Sequence, residues 1–190
     1  QLFHKLLSLL VVLTGLNTVT GNVVDIKSSL TQLIIAGNNT LTGLVSDFKV
    51  NLTYIYITGP SWTVTGNLSD FKSTVRFILM TGIGGNISGD LASIPSPVGT
   101  SGFQLQDSTN INGYSGRTWN STMELVIFIP SSGGLSSAEV DQLLIDLDTD
   151  VVTWLFAKTI TLTGSNGGRT PASNAAVASL TLKGVSVNTN

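Results

Sequence analysis

Residues 5–21 read KLLSLLVVLTGLNTVTG and residues 27–43 read KSSLTQLIIAGNNTLTG. The two stretches align without a gap: Lys5 on Lys27, Gly15 on Gly37, and Asn17-Thr18-Val19-Thr20-Gly21 on Asn39-Thr40-Leu41-Thr42-Gly43. Self-similarity at a fixed period is the signature of a repeat architecture. An apolar residue, then Thr, Ser or Asn, then glycine recurs at Val19-Thr20-Gly21, Leu41-Thr42-Gly43, Val64-Thr65-Gly66, Ile87-Ser88-Gly89 and Ile111-Asn112-Gly113, with glycine spacings of 22, 23, 23 and 24. Apolar residues hold fixed offsets from that glycine. Two positions on stand Val23, Val45, Leu68 and Leu91; five on, Ile26, Phe48, Phe71 and Ile94; nine on, Leu30, Leu52, Val75 and Val98. Leu33, Ile55 and Ile78 follow, then Ile35, Ile57 and Met80, and a second glycine closes the pattern at Gly15, Gly37, Gly59 and Gly82.

As geometry, each unit holds one short strand (Gln32–Ala36, Tyr54–Thr58, Phe77–Thr81), a turn at glycine, and an irregular return arm with its apolar residues inward. A single unit cannot bury this ladder, whereas stacked neighbours can. Each layer then buries about five apolar side chains, at ~1.5–3 kcal/mol apiece before conformational entropy is subtracted. The expectation is a repeat solenoid, mainly β with irregular return arms, over residues 1–135. A β-sandwich of regular hairpins would not return the same offsets in successive units. The run Leu6–Leu13 resembles the apolar core of a signal peptide but belongs to a repeat, and it is too short to span a bilayer. Residue 1 falls inside a repeat, so more chain is expected before it.

The pattern resembles the leucine-rich-repeat family, with L-x-x-L-x-L/I before the strand end and an LTG return. The stretch Gly84-Gly85-Asn86-Ile87-Ser88-Gly89-Asp90-Leu91 is similar to the N-x-L-x-G-x-[IL] arm of the longer repeat class. The sequence departs from the family where an asparagine would end the strand region, because Gly37, Gly59 and Gly82 stand there. It also departs at residues 95–110, where Pro95, Pro97 and the spacing of Phe103 and Leu105 imply about two inserted residues.

Composition shifts after Ser131-Ser132-Gly133-Gly134. Ser136 reads as an N-cap with Glu139 in the first turn, and Val140, Leu143, Leu144 and Leu147 follow at helical spacing. A strand is expected at Thr159–Thr163, a loop at Gly164–Thr170, a second helix at Ala172–Lys183 opened by Pro171 and stopped by Gly184, and a last strand at Val185–Val187. Residues 136–190 thus read as an α/β capping layer of helix, strand, helix and strand. This ending resembles that of repeat-bearing virion and surface proteins of Bacteroidetes phages and bacteria. The resemblance implies a virion component, and hence a virion, extracellular or cell-surface location.

The composition narrows function by exclusion. The chain has 190 residues, of which 22 Ser, 24 Thr and 14 Asn make up about a third, yet 42% are hydrophobic and only 11% charged. The net charge is −2 with nine scattered Lys and Arg, which argues against nucleic acid. No cysteine is present, so there is no disulfide framework and no thiolate chemistry, and the single histidine, His4, provides no multi-histidine metal centre. Asp146, Asp148 and Asp150 begin like a calcium loop but lack its glycine and its terminal Glu, so they read as a polar helix end. Gly164–Thr170 lacks the lysine of a phosphate loop and reads as a flexible turn. Asp25, Asp47 and Asp70 recur beside Lys27, Lys49 and Lys72 and read as a turn-forming row whose charge the lysines offset. Five N-x-S/T sequons, at Asn38, Asn51, Asn67, Asn86 and Asn120, are what this composition supplies by chance. No acid, base and nucleophile converge, so the expectation is a non-enzymatic protein with no cofactor and no metal.

Side chains alternate along a strand, so residues between the buried ones point outward. They include Ile34, Tyr54, Tyr56, Phe77, Leu79, Leu125 and Ile127, an apolar and aromatic set where a solvated face would be polar. Such patches mark contact with something else, the alternative being cover by another segment of the same chain. The expected role is a structural or interaction protein whose outer sheet face binds other proteins, including further copies or other virion proteins. Glycan is a secondary candidate, and membrane insertion and nucleic acid are not expected. A cell-surface adhesin or receptor-type recognition module is the alternative.

Overall fold

A computed structural model describes residues 10–13, 20–38, 40–82, 86–95, 102–107, 110–111 and 113–190. His4, most of the opening arm of the first repeat, and Pro97 and Val98 in the region of the expected insertion lie outside the described residues. Among the described residues the architecture is mainly β, with two all-parallel sheets, two α-helices and no closed barrel.

Each unit carries two strands rather than the one expected, because the stretch around the signature glycine in the return arm is itself a strand, and the repeat deals them alternately to the two sheets. The larger sheet takes β1 (Leu10–Leu13), β3 (Gln32–Ile35), β5 (Tyr54–Thr58), β7 (Phe77–Thr81), β9 (Gly102–Gln106), β11 (Thr122–Ile129), β12 (Thr153–Leu162) and β13 (Ser186–Thr189), in that spatial order. The smaller takes β2 (Thr20–Asn22), β4 (Thr40–Leu44), β6 (Thr63–Asn67), β8 (Asn86–Gly89) and β10 (Asn110–Ile111). In the larger sheet, residues equivalent in the repeat pair directly: Leu33 with Ile55, Ile55 with Ile78, Ile78 with Phe103. The inward rows Leu33, Ile55, Ile78, Phe103, Val126, Ile160 and Ile35, Ile57, Met80, Leu105, Phe128, Leu162 are buried, and with the residues of the return arms they form one core cluster.

The smaller sheet pairs differently. Its partners are Gly21 with Leu41, Gly43 with Val64, Gly66 with Ile87, and Gly89 with Ile111. Each strand has slipped by two residues against its repeat equivalent. An even slip keeps every side chain on its own face, whereas a slip of one would turn the apolar set outward. It also sets the buried residue of each apolar-x-Gly signature beside the glycine of the unit before. On its other side a Cβ on Gly66 would lie 2.9 Å from Cβ of Val45, in the turn that follows the preceding unit's signature, so the signature glycine lets that turn come close.

A 3-10 turn follows each of β2, β4, β6 and β8, at Val23–Asp25, Val45–Asp47, Leu68–Asp70 and Leu91–Ser93. Asn22 Oδ1 accepts from Val24 N at 3.0 Å, and Asp90 Oδ1 accepts from Ala92 N at 2.7 Å. Asn67 and Asp70 close a reciprocal capping box, so one member of the aspartate row shapes a turn. The lysine row does not pair with it in this set: Lys49 Nζ donates to the Val24 carbonyl of the preceding repeat at 2.8 Å. Further bonds run one repeat back, including Thr53 N and Thr53 Oγ1 to Thr31 O and Arg76 N to Thr53 O. At ~0.5–1.5 kcal/mol net for each, they tie every layer to its neighbour.

Beyond β11 the return arm is replaced by α1 (Ser137–Asp150). Ser136 and Glu139 form the capping box that starts it, and Val140, Leu143, Leu144 and Leu147 enter the core. The expected strand at Thr159–Thr163 is the second half of β12, which begins six residues earlier because Thr153 and Trp154 already pair with Thr122 and Met123. The loop after β12 is held in place rather than loose. Buried Asn166 accepts from Leu135 N and donates to the carbonyls of Phe128 and Thr163, all at 2.9 Å. The second helix opens with a 3-10 turn at Pro171–Ser173 and continues as α2 (Asn174–Leu182). Asp141 of α1, only 5% exposed, accepts from Thr170 N, Thr170 Oγ1 and Ser173 Oγ. Burial alone would raise its pKa, but those hydrogen bonds favour the carboxylate and hold it below the ordinary aspartate value.

Two outcomes test this account. Gly59 has φ +125, and its Cβ would meet Gly37 O at 2.0 Å, whereas the Cβ of Gly113 would find nothing nearer than 3.7 Å. In urea denaturation Gly59→Ala should cost at least about 2 kcal/mol and Gly113→Ala less than about 1 kcal/mol. A carboxylate with a depressed folded pKa stabilises above its unfolded pKa and loses that contribution as pH falls through the folded value. The protein should therefore weaken on acidification below about pH 4, and Asp141→Asn should be destabilised at pH 7 with a flatter acid limb.

Candidate interaction face

Both helices contribute to the core that also fills the inner face of the larger sheet. The outer face of that sheet carries the seven residues expected there. Register places them in two adjacent rows. One runs Gln32, Tyr54, Phe77, Gly102, Leu125, and the other Ile34, Tyr56, Leu79, Gln104, Ile127. Parallel strands lie ~4.8 Å apart, so neighbours in a row touch. Tyr54 and Phe77 use this spacing to stack, with ring centroids 4.7 Å apart and planes 10° from parallel.

Exposure is uneven along the rows. Ile34, Tyr54, Tyr56, Leu79, Leu125 and Ile127 are part-exposed, whereas Phe77 is only 7% exposed. Tyr54 stacks on one side of Phe77, and on the other side the row continues through buried Gly102, where a Cβ would fall 2.0 Å from Leu125 O. Phe77 is thus less a point of contact than the sequence suggests; it supports Tyr54 from one side.

Tyr54, Phe77 and Leu125 also line a cleft of about 370 Å³, together with Gln32, Thr53, Arg76 and Glu124. Arg76 and Glu124 were not singled out from the sequence. Arg76 immediately precedes β7, and Glu124 sits at the irregularity of β11 between Met123 and Leu125. Neither side chain has a hydrogen-bond or ion-pair partner among the described residues. Burial raises the Tyr54 phenol pKa above 10, and nearby Tyr56 and the Glu124 carboxylate raise it further. The hydroxyl is therefore neutral at physiological pH and available as a donor.

The other chemically suggestive groups are occupied by the fold. Asp146 Oδ2 accepts from Tyr114 Oη at 2.7 Å, Asp150 Oδ2 from Trp119 N at 2.8 Å, and Asp148 pairs with Lys183 at 2.9 Å. The D-x-D-x-D run thus clamps α1 to the segment before β11 and to the end of α2. A polar cleft of about 450 Å³ beside it is lined by Tyr114, Arg117, Asp146 and Asp150, among others. There burial and the Asp146 hydrogen bond push the Tyr114 phenol strongly upward, and Arg117 lies 4.6 Å over the Trp119 ring. No group of His, Asp and Glu suited to a metal occurs among the described residues. No described helix is long and apolar enough to cross a membrane.

Comparison with protein-family models, curated proteins and solved structures finds no match to this chain. The face is therefore read from its own geometry. In a spectrophotometric titration Tyr54 should ionise above pH 10. Glu124→Gln should lower that midpoint by removing the carboxylate's repulsion while leaving the part due to burial. An unmoved midpoint would separate Glu124 from Tyr54.

Proposed function

We propose that this chain is a non-enzymatic structural and interaction protein, a leucine-rich-repeat-like coil that works through the outer face of its larger sheet. Support for the coil comes from the one-repeat strand register, the alternation of strands between two parallel sheets, and the glycine-permitted contacts between successive units. The observation that carries the functional reading is the row Ile34, Tyr56, Leu79, Ile127, broken only by Gln104. It is a part-exposed apolar strip on the sheet face turned away from the core. Aromatic and aliphatic residues grouped in this way concentrate contact energy, since they bury large area for little side-chain entropy.

The setting we propose is an assembled extracellular particle, with a phage virion the leading case. A surface rich in Ser, Thr, Asn and Gly, poor in charge and free of cysteine suits a protein held in place by many neutral contacts. The C-terminal resemblance points the same way. The partner is another protein, met along a strip that spans at least four strands.

Hydroxyl-radical footprinting of the protein in its native assembly and after release tests this reading. Tyr56, Leu79 and Ile127 should be labelled several-fold less in the assembly, while exposed Val24 and Val50 on the return arms label alike in both states. Equal labelling of the strip in both states would sink it.

A further inference from the structure

Two neighbouring irregularities on the larger sheet complement one another. The first is in β12. Trp154 pairs with Met123 and Thr159 with Leu125, so residues 155–158 face the single residue Glu124 across the strand pair. Four residues opposite one must leave the sheet. They do so through left-handed backbone at two residues that are not glycine, Phe156 at φ 44 and Lys158 at φ 43. For a bulky side chain this is a strained conformation, and such strain concentrates where a segment is shaped for use. What it holds out is apolar: Phe156 is 86% exposed and Leu155 37% exposed, on a root buried through Trp154. A solvated bulge needs neither the strain nor the ring.

The second is the cleft on the adjoining strands. Its apolar part is formed by Tyr54, Phe77 and Leu125, and its rim carries Arg76 and Glu124, neither with a hydrogen-bond or ion-pair partner among the described residues. The same holds for Lys158 among the described residues. It stands beside Gly184, with Nζ 3.7 Å from where a Cβ on that glycine would lie, and does not bond to Glu124 across the strand pair. One molecule therefore presents an exposed ring followed by a part-exposed cation, and beside them a cleft with an apolar wall and one charge of each sign, Arg76 and Glu124, at its rim.

We propose that the Leu155–Lys158 bulge is a plug for the cleft of a second copy of this chain. Phe156 enters against Tyr54 and Leu125 with Arg76 over its ring, and Lys158 pairs with the second copy's Glu124. The charges decide in favour of this occupant, since a ring alone would leave Glu124 unpaired. Plug and cleft sit side by side on one sheet, so a two-fold axis between two copies engages both pairs at once and the contact closes as a dimer. The inference rests on the outer face being a contact surface and names the partner at its C-terminal edge.

Sedimentation equilibrium of the full chain over a concentration series tests the pairing. A monomer–dimer equilibrium is expected, with Phe156→Ala raising the dimer Kd about thirtyfold and leaving in place the thermal melt recorded well below the parental Kd, where both chains are monomers. Glu124→Lys and Lys158→Glu should each weaken the dimer about tenfold, and the double variant, which restores opposite charges across the contact, should recover it. A monomer up to about 1 mM, a dimer indifferent to Phe156→Ala, or a double variant no better than the singles would overturn the proposal. Footprint protection of Tyr56 and Leu79 in the native assembly together with a monomeric isolated chain would refute the plug and leave the contact face standing.

Discussion

Each layer of this protein must lie at parallel-strand distance from the one before it, and glycine is what lets the backbones come that close. At the end of the larger sheet's strands, the position where Gly59 would carry a Cβ is 2.0 Å from the carbonyl of Gly37, and Gly82 stands in the same relation to Gly59. In the smaller sheet the signature glycine lies beside the buried apolar residue of the following unit. Two contact lines, one in each sheet, thus hold the spacing. The inward apolar rows then follow, because side chains on strands held ~4.8 Å apart meet as continuous ladders. Spacings of 22 to 24 residues between signature glycines are tolerated; between the first four, the difference falls in the turn from the strand-closing glycine to the next signature glycine, six residues from Gly37 to Gly43 and seven from Gly59 to Gly66.

Polar groups inside this stack are matched rather than scarce. Threonine and asparagine side chains reach back one repeat to carbonyls their neighbours leave free, as Asn51 does to Ser28 O and Thr74 does to Leu52 O. A third of the chain being Ser, Thr and Asn is in this sense structural: layers with few charges are joined by short neutral bonds. In the C-terminal layers carboxylates take over the joining role: Asp141, Asp146, Asp148 and Asp150 hold α1 to the segments around it. There the regular return arm has given way to helices, and stacking alone no longer fixes their position.

The outer face has the opposite economy. Its rows contribute little to the core, yet they are apolar, and at their C-terminal edge the regular pairing is broken to hold an aromatic ring in solvent. Gly102 interrupts the row between Phe77 and Leu125, and Tyr54 is the part-exposed ring that shares the cleft with Arg76 and Glu124.

The sequence by itself determined the period, the inward ladders, the strands Tyr54–Thr58 and Phe77–Thr81, and the helix beginning after Ser136. Each is a local pattern repeated in one chain, and repetition of apolar residues at fixed offsets leaves one economical way to bury them. Only the tertiary structure decided the two-residue slip of the smaller sheet, because aligned repeats suggest that equivalent residues pair and no spacing within one unit reports how two units are offset. It also decided that the aspartates of α1 are clamps, that Asn166 fastens a loop read as loose, and that Phe77 is covered while Phe156 is not. Those outcomes depend on which distant groups arrive beside a residue. Composition and period are blind to that, and packing settles it.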